Sequence, residues 1–237
     1  MLRPDAQRLW NFLKDQPALG NFVLVGGTAL FMHLGHRLSE DLDFMVGSTR
    51  LPRAAVQALK RSCNAAGFPF VANDSPAGLQ EFEDTGLDYH DYQQDFVVAS
   101  SVKLTLVAPD PEVSVLLRAG VAHGPRVASV EEIFRLKCIA CANRSKTRDW
   151  LDMYVMLTQG LFQPLDIFNT FALAGVPSKY DIAIGRMCSG RPGHADEGYE
   201  ALMTSPPSVG DMRDYFIAVR EAIEVDVARL RAQARRG

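Results

Sequence analysis

The chain has few cysteines, no long apolar run and no surplus of either charge, and each absence removes a class of protein. Only Cys63, Cys138, Cys141 and Cys188 occur in 237 residues, widely scattered. That spacing argues against a disulfide-stapled secreted fold and for reduced thiols. No stretch reaches the roughly 18 uninterrupted apolar residues of a membrane helix. The N-terminal "MLRPDAQRLWNFLKDQ" is amphipathic and lacks the apolar segment of a signal peptide, so the expectation is a cytoplasmic protein that makes no membrane contact. With 25 basic against 28 acidic residues the net charge is −3, and any nucleic acid must be held by a local patch. Neither an internal repeat nor a low-complexity tract is present, which leaves one large or two small globular domains.

What is present begins with a change of pattern along the chain. Leu9, Trp10 and Leu13 have helical spacing, "FVLV" reads as a buried strand, "TALFMHLG" as a helix closed by Gly35, and "DLDFMV" as a second strand. A helix follows over 52–67, with Pro52 near its first turn and Gly67 just past its end. Between 68 and 126 the runs "FPFV", "DFVVASSVKLTLV" and "EVSVLLRAG" read as further strands of the sheet. Ser129 and Glu132 have capping-box spacing and open a helix. Nearly everything after it reads helical, ending in an amphipathic stripe of Phe216, Val219, Ile223, Val227 and Leu230. The fold class is therefore α+β: a mixed sheet flanked by helices over 1–126, then a helical bundle region over 127–237. Within that region Cys138 and Cys141 form a CxxC, but on a helix and with no second pair or histidine cluster to complete a zinc site. Small apolar side chains on a buried face account for them.

The stretch "VLVGGTALFMHLGHRLSEDLDFMV" carries the chemistry. Alternate side chains of a strand share a face, so Asp41 and Asp43 point one way while Leu42 and Phe44 pack behind them. Two converging carboxylates are unfavourable unless a cation sits between them, and paired oxygens suit a hard ion such as Mg²⁺. The glycines directly after the first strand allow close backbone approach to a ligand, and the N–H groups that open the next helix favour a phosphate. A strand-end DxD can be a solvated edge and a GG can be only a tight turn. Together in one strand, helix, strand unit they point to a nucleotide site.

"GGT", twelve residues and then "DLD" resembles the signature of the nucleotidyltransferase superfamily that includes DNA polymerase beta. "GHRLSEDLDF" and "LKCIACANRSKTRDWLDMYVML" at 136–157 are similar to motifs of the AbiEii/AbiGii toxin family. The resemblance spans roughly 22–158 and implies a Mg²⁺-dependent nucleotidyltransferase, with two ions possible and an NTP as substrate. It implies that Gly26, Gly27 and Thr28, with Arg37 and Ser39, hold the nucleotide and that Asp41 and Asp43 bind metal and act catalytically. It also implies that Lys137, Arg144 and Arg148 line the site and that Asp149 and Asp152 are functional. RNA, tRNA or a protein would be the acceptor, and a separate antitoxin the partner.

Two features qualify the resemblance. Polymerase-type members carry a third carboxylate on a later strand, and in "SSVKLTLV" Thr105 occupies the expected place; Asp95 or Asp110 could substitute from nearby. Without a third acid a catalytically weak or inactive nucleotide-binding protein of the same fold is the rival reading, and a small-molecule nucleotidyltransferase of the antibiotic-modifying sort is another. Between 126 and 148 six basic residues face two acidic ones, a patch that could meet a triphosphate or an RNA backbone or simply be a solvated helix face. Arg148 and Asp152, four apart, can pair on one helix face. Trp150 and Tyr154, also four apart, could stack a base or pack two helices.

Overall fold

The computed structural model describes residues 2–99, 101–120 and 123–234. They divide into two compact units, Met1–Ile133 and Phe134–Gly237. The first unit opens with α1 (Pro4–Leu13), β1 (Phe22–Val25), α2 (Gly26–Leu34), β2 (Leu42–Val46) and α3 (Arg53–Ala65). It continues through β3 (Phe70–Ala72), α4 (Pro76–Asp84), β4 (Gln93–Val98), β5 (Val102–Val107), α5 (Pro111–Ser114) and β6 (Arg126–Val127). Its strands form a six-stranded sheet in the order β3-β4-β5-β2-β1-β6, in which β2 pairs parallel to β5 and antiparallel to β1. The parallel β2/β5 pair needs a crossover, and α3, β3, α4 and β4 lie along it in the chain.

Alternation fixes what each face of the sheet does. Along β2, Leu42, Phe44 and Val46 are buried while Asp43 and Met45 are half-buried. The neighbouring strand repeats the pattern, with Leu104 and Leu106 fully buried and Thr105 between them half-buried. A single-residue slip of register would therefore drive Asp43 into the core. The apolar face takes α1 through Leu9 and Leu13, both fully buried, and the Trp10 ring lies 6.5 Å from that of Phe44.

Three parts of the first unit differ from the sequence reading. The run "DFVVASSVKLTLV" is two antiparallel strands, β4 and β5, turned between Val98 and Val102; Ser100 lies outside the described residues. "EVSVLLRAG" is not a strand: Pro111 starts the short α5, and Val115 is 63% exposed. Proline at the first helical turn costs no hydrogen bond, so a β-branched run behind it loses its claim to the sheet. The same chemistry hides α4, where Ser75 caps through Gly78 N–H, Pro76 sits at the start and no residue is fully buried. Without a buried stripe there is no helical periodicity to read.

The capping box at the start of α6 (Val130–Asn143) forms as the spacing implies. Glu132 N–H donates to Ser129 Oγ at 3.2 Å, and Ser129 N–H donates to Glu132 Oε2 at 2.8 Å. Glu132 also takes Arg126 through both carboxylate oxygens and the backbone N–H of Arg118. Arg126 is thus a structural cation of β6.

The second unit continues α6 and adds α7 (Thr147–Thr158), α8 (Pro164–Leu173), α9 (Lys179–Ser189) and α10 (Val209–Ala234). The last helix packs on α7, α8 and α9 with Met212, Phe216, Val219 and Ile223 buried. The stripe stops there, because Val227 is half-buried and Leu230 half exposed: the helix outruns its partners. Among the described residues no helix is long and apolar enough to cross a membrane.

The Glu132 network gives a pH prediction. Burial alone would raise this carboxyl, but the Arg126 guanidinium and the N–H groups of Arg118 and Ser129 outweigh it and hold the pKa at about 2, against an ordinary 4.5. A depressed folded-state value stabilises above the unfolded value and loses that stabilisation as pH falls. Acid unfolding followed by circular dichroism should show stability declining between about pH 4.5 and 2, with that segment flattened in Glu132→Gln.

Candidate active site

The first cluster lies wholly in the sheet unit. β1 ends at Val25 and α2 begins at once, so Gly26 must turn the chain with φ +72°, a left-handed conformation that costs a side-chain-bearing residue. A Cβ on Gly26 would lie 2.7 Å from Asp43 Oδ2, because Val25 pairs with Asp43 across β1 and β2. A Cβ on Gly27 would lie 2.5 Å from Arg37 Nη2 and 3.2 Å from Ser39 Oγ. The two glycines thus form a cradle in which a carboxylate, a guanidinium and a hydroxyl pack directly against the backbone.

Behind the cradle the segment 37–41 is held down. Thr28 Oγ1 lies 2.8 Å from Ser39 Oγ and in hydrogen-bond contact with the Asp41 carbonyl oxygen, while Arg37 Nη1 donates to Leu38 O at 3.0 Å. Thr28, Arg37 and Ser39 are all buried. The Thr28 side chain is therefore a fastener between α2 and the approach to β2, and what α2 offers a phosphate is its opening backbone N–H groups and its positive helix end. Glu40 pairs with Arg3, away from the carboxylates' chemistry. Asp41 precedes β2 and Asp43 lies within it, both half-buried, with Leu42 and Phe44 in the core.

These residues fit a hard divalent cation. Two half-buried carboxylates two positions apart, with the glycine backbone beside Asp43, offer oxygen donors of the kind Mg²⁺ takes, since Mg²⁺ is usually bound through one or two carboxylates plus waters and substrate phosphates. Among the described residues no group of three or more His, Cys, Asp or Glu side chains could hold a metal by itself. Cys138 and Cys141 are buried, and burial pushes both thiols well above their ordinary range, as expected for inert packing residues.

The second cluster lies wholly in the helical unit. Lys137 Nζ is 2.6 Å from Asp149 Oδ1 and 2.7 Å from Asp152 Oδ2, and Arg144 Nε donates to Asp149 Oδ2 at 2.7 Å. Asp152 is 0% and Lys137 6% exposed, so these charges are bound to one another out of solvent. Burial alone would raise the Asp149 carboxyl, yet Lys137 and Arg144 hold it below the usual carboxylate range. Arg144 is 54% exposed along its side chain and so remains open to solvent.

Arg148 does not pair with Asp152. It pairs with Glu197 at 3.0 Å and donates to Gly198 O, tying α7 to the loop before α10. Helical spacing allowed the pair, but Lys137 on α6 is the nearer compensation for a fully buried carboxylate. Trp150 is buried and Tyr154 packs edge-on against Tyr215 at 5.0 Å, so both serve packing.

Comparison with known proteins then decides the family. The model described as nucleotidyl transferase AbiEii toxin, type IV toxin–antitoxin system, matches residues 8–183. The chain belongs to the AbiEii nucleotidyltransferase toxin family. None of the curated proteins compared matches it. Among solved structures, JHP933 from Helicobacter pylori is 19% identical, with 99% of this chain and 100% of that chain covered and a TM-score of 0.49. MenT4, a nucleotidyltransferase toxin from Mycobacterium tuberculosis, is 12% identical, with 90% and 82% covered and a TM-score of 0.48. Membership in the AbiEii family rests on the sequence match, and it makes this chain a toxin-type nucleotidyltransferase.

Sequence reasoning missed the partners around Asp95. Its carboxylate accepts from Thr105 Oγ1 at 2.8 Å, Tyr89 OH at 2.9 Å and Gln93 Nε2 at 2.7 Å. The alternation in "QQDFVV" was the available signal. Asp110 is exposed at the start of α5.

Two outcomes test these assignments. Gly27→Ala should cost about 1–3 kcal/mol by overpacking against Arg37 and Ser39 and weaken triphosphate binding in calorimetry, whereas Gly47→Ala, where a Cβ meets open space, should change neither. Lys137→Met strands two buried carboxylates and should lower stability in urea unfolding by about 3–5 kcal/mol at neutral pH. The deficit should shrink as acid protonates them.

Proposed function

We propose that this AbiEii-family toxin transfers a nucleoside monophosphate from an NTP to an acceptor hydroxyl in the cytoplasm, and that the acceptor is RNA. The observation that carries the proposal is the close packing at Gly26 and Gly27, where the lack of a Cβ lets Asp43, Arg37 and Ser39 approach the backbone that opens α2. A carboxylate and a guanidinium gathered beside the N–H groups of a helix start suit a metal-bound phosphate.

Asp41 and Asp43 would hold Mg²⁺, two ions being possible. When bound, the metal supplies neutralisation of the triphosphate and of the departing pyrophosphate. The chain's own residues do the positioning. The N–H groups opening α2 take phosphate oxygens, Arg37 sets a fixed positive charge beside Gly27, and the Thr28 fastener holds the Asp41 backbone to α2. The acceptor oxygen forms a bond to the α-phosphorus as the bond to pyrophosphate breaks, and the hydroxyl proton leaves to solvent or base. In the helical unit Arg144 is an exposed cation suited to an RNA backbone, while Lys137 and Arg144 preserve the ionised state of Asp149. Family membership in a toxin–antitoxin system supports a cognate antitoxin as partner.

Incubation with each labelled NTP, Mg²⁺ and total RNA tests the proposal. Label should move to RNA and be lost at least 100-fold in Asp43→Ala, a magnitude in line with removing a group that stabilises transition-state charge. Nucleotide binding without transfer to RNA or any other acceptor would contradict it.

A further inference from the structure

The register of the sheet places four residues in one row across four strands. Val25 of β1 is opposite Asp43 of β2, Asp43 is opposite Thr105 of β5, and Thr105 is opposite Asp95 of β4. Residues directly opposite in neighbouring strands share a face. Asp43, Thr105 and Asp95 therefore lie side by side on the half-buried face, with the fully buried Leu104 and Leu106 on the other. Two strand spacings separate Asp43 from Asp95, about 10 Å.

Thr105 is the residue opposite Asp43 on β5, and its hydroxyl donates to Asp95 Oδ1 at 2.8 Å. A hydroxyl has one proton and two lone pairs. With the proton committed to Asp95, the Thr105 oxygen is left as an acceptor beside Asp43. Asp95 in turn is satisfied by neutral donors, Tyr89 OH and Gln93 Nε2 on Oδ2, and its own N–H donates to Asp74 Oδ1 at 2.9 Å. Among the described residues no basic side chain pairs with Asp95, so its negative charge is not cancelled locally.

We infer that Asp95, acting through the Thr105 hydroxyl, is a positioning residue that supplies the third negative charge of the metal-binding face. Asp95 lies one strand outward from Thr105, whose hydroxyl would present an oriented acceptor oxygen to the water shell of a cation held by Asp43. The inference rests on the reading of Asp41 and Asp43 as metal ligands.

Titration of the full chain with Mn²⁺ alone, counting free ion by electron paramagnetic resonance, tests both separately. The unaltered chain should bind Mn²⁺ and Asp43→Asn should lose that binding. Thr105→Val, which removes the acceptor oxygen, and Asp95→Asn, which no longer fixes its proton, should each weaken it about tenfold, the scale of one lost charge-assisted hydrogen bond. Thr105→Ser should bind like the unaltered chain, and the double variant should be no weaker than Thr105→Val, because the two residues act as one unit. Where Asp95→Asn fails to fold through loss of the Tyr89 bond, the contrast between Thr105→Val and Thr105→Ser decides alone. Normal Mn²⁺ binding in folded Thr105→Val and Asp95→Asn, with Asp43→Asn defective, would overturn the inference and leave the metal reading standing. If Mn²⁺ binding is absent from the unaltered chain, or survives in Asp43→Asn, both fall.

Discussion

The close approach of the α2 start to Asp43 is the constraint on which the sheet unit's chemistry depends. It exists because Gly26 can take φ +72° and carries no side chain, so that the backbone closes on a carboxylate that a Cβ would displace. Everything around it preserves that gap. Val25 pairs with Asp43 to fix the register, the Thr28 hydroxyl ties α2 to Ser39 and the Asp41 carbonyl, and Leu42 and Phe44 anchor the strand from the opposite face. Asp41 and Asp43 thus stand beside an apolar core without entering it.

Charge is managed differently in the two units. In the helical unit Lys137, Arg144, Asp149 and Asp152 compensate one another, with the lysine and both carboxylates buried, so the cluster resembles a buried ion-pair network whose loss is costly. In the sheet unit Asp95 is balanced, among the described residues, by neutral donors and sits in the row of Asp43. An acid placed so in a sheet is expensive for stability and useful for holding a cation.

Much of this was legible from spacing alone. The strand, helix, strand unit, Gly35 as helix terminator and the Ser129–Glu132 capping box follow from short-range rules that the structure obeys. The alternation of Leu42, Asp43 and Phe44 was equally visible, since a period of two needs no tertiary information. What could not be read depended on contacts distant in sequence. Arg148 finds Glu197 rather than its helical neighbour Asp152, because Lys137 from α6 already compensates that carboxylate. Helices α4 and α5 begin with prolines that act as starters, not breakers, and bury no residue fully, so neither left a periodic trace. Asp95 and Thr105 meet only through the β4–β5 turn.

A crystal of this chain soaked with Mn²⁺ and a non-hydrolysable NTP tests the central claim most directly. The account predicts an anomalous Mn²⁺ peak within coordination distance of oxygens of Asp41 and Asp43, with the triphosphate against the backbone of Gly26 and Gly27. Metal or triphosphate bound elsewhere, with the carboxylate pair left without either, would contradict it.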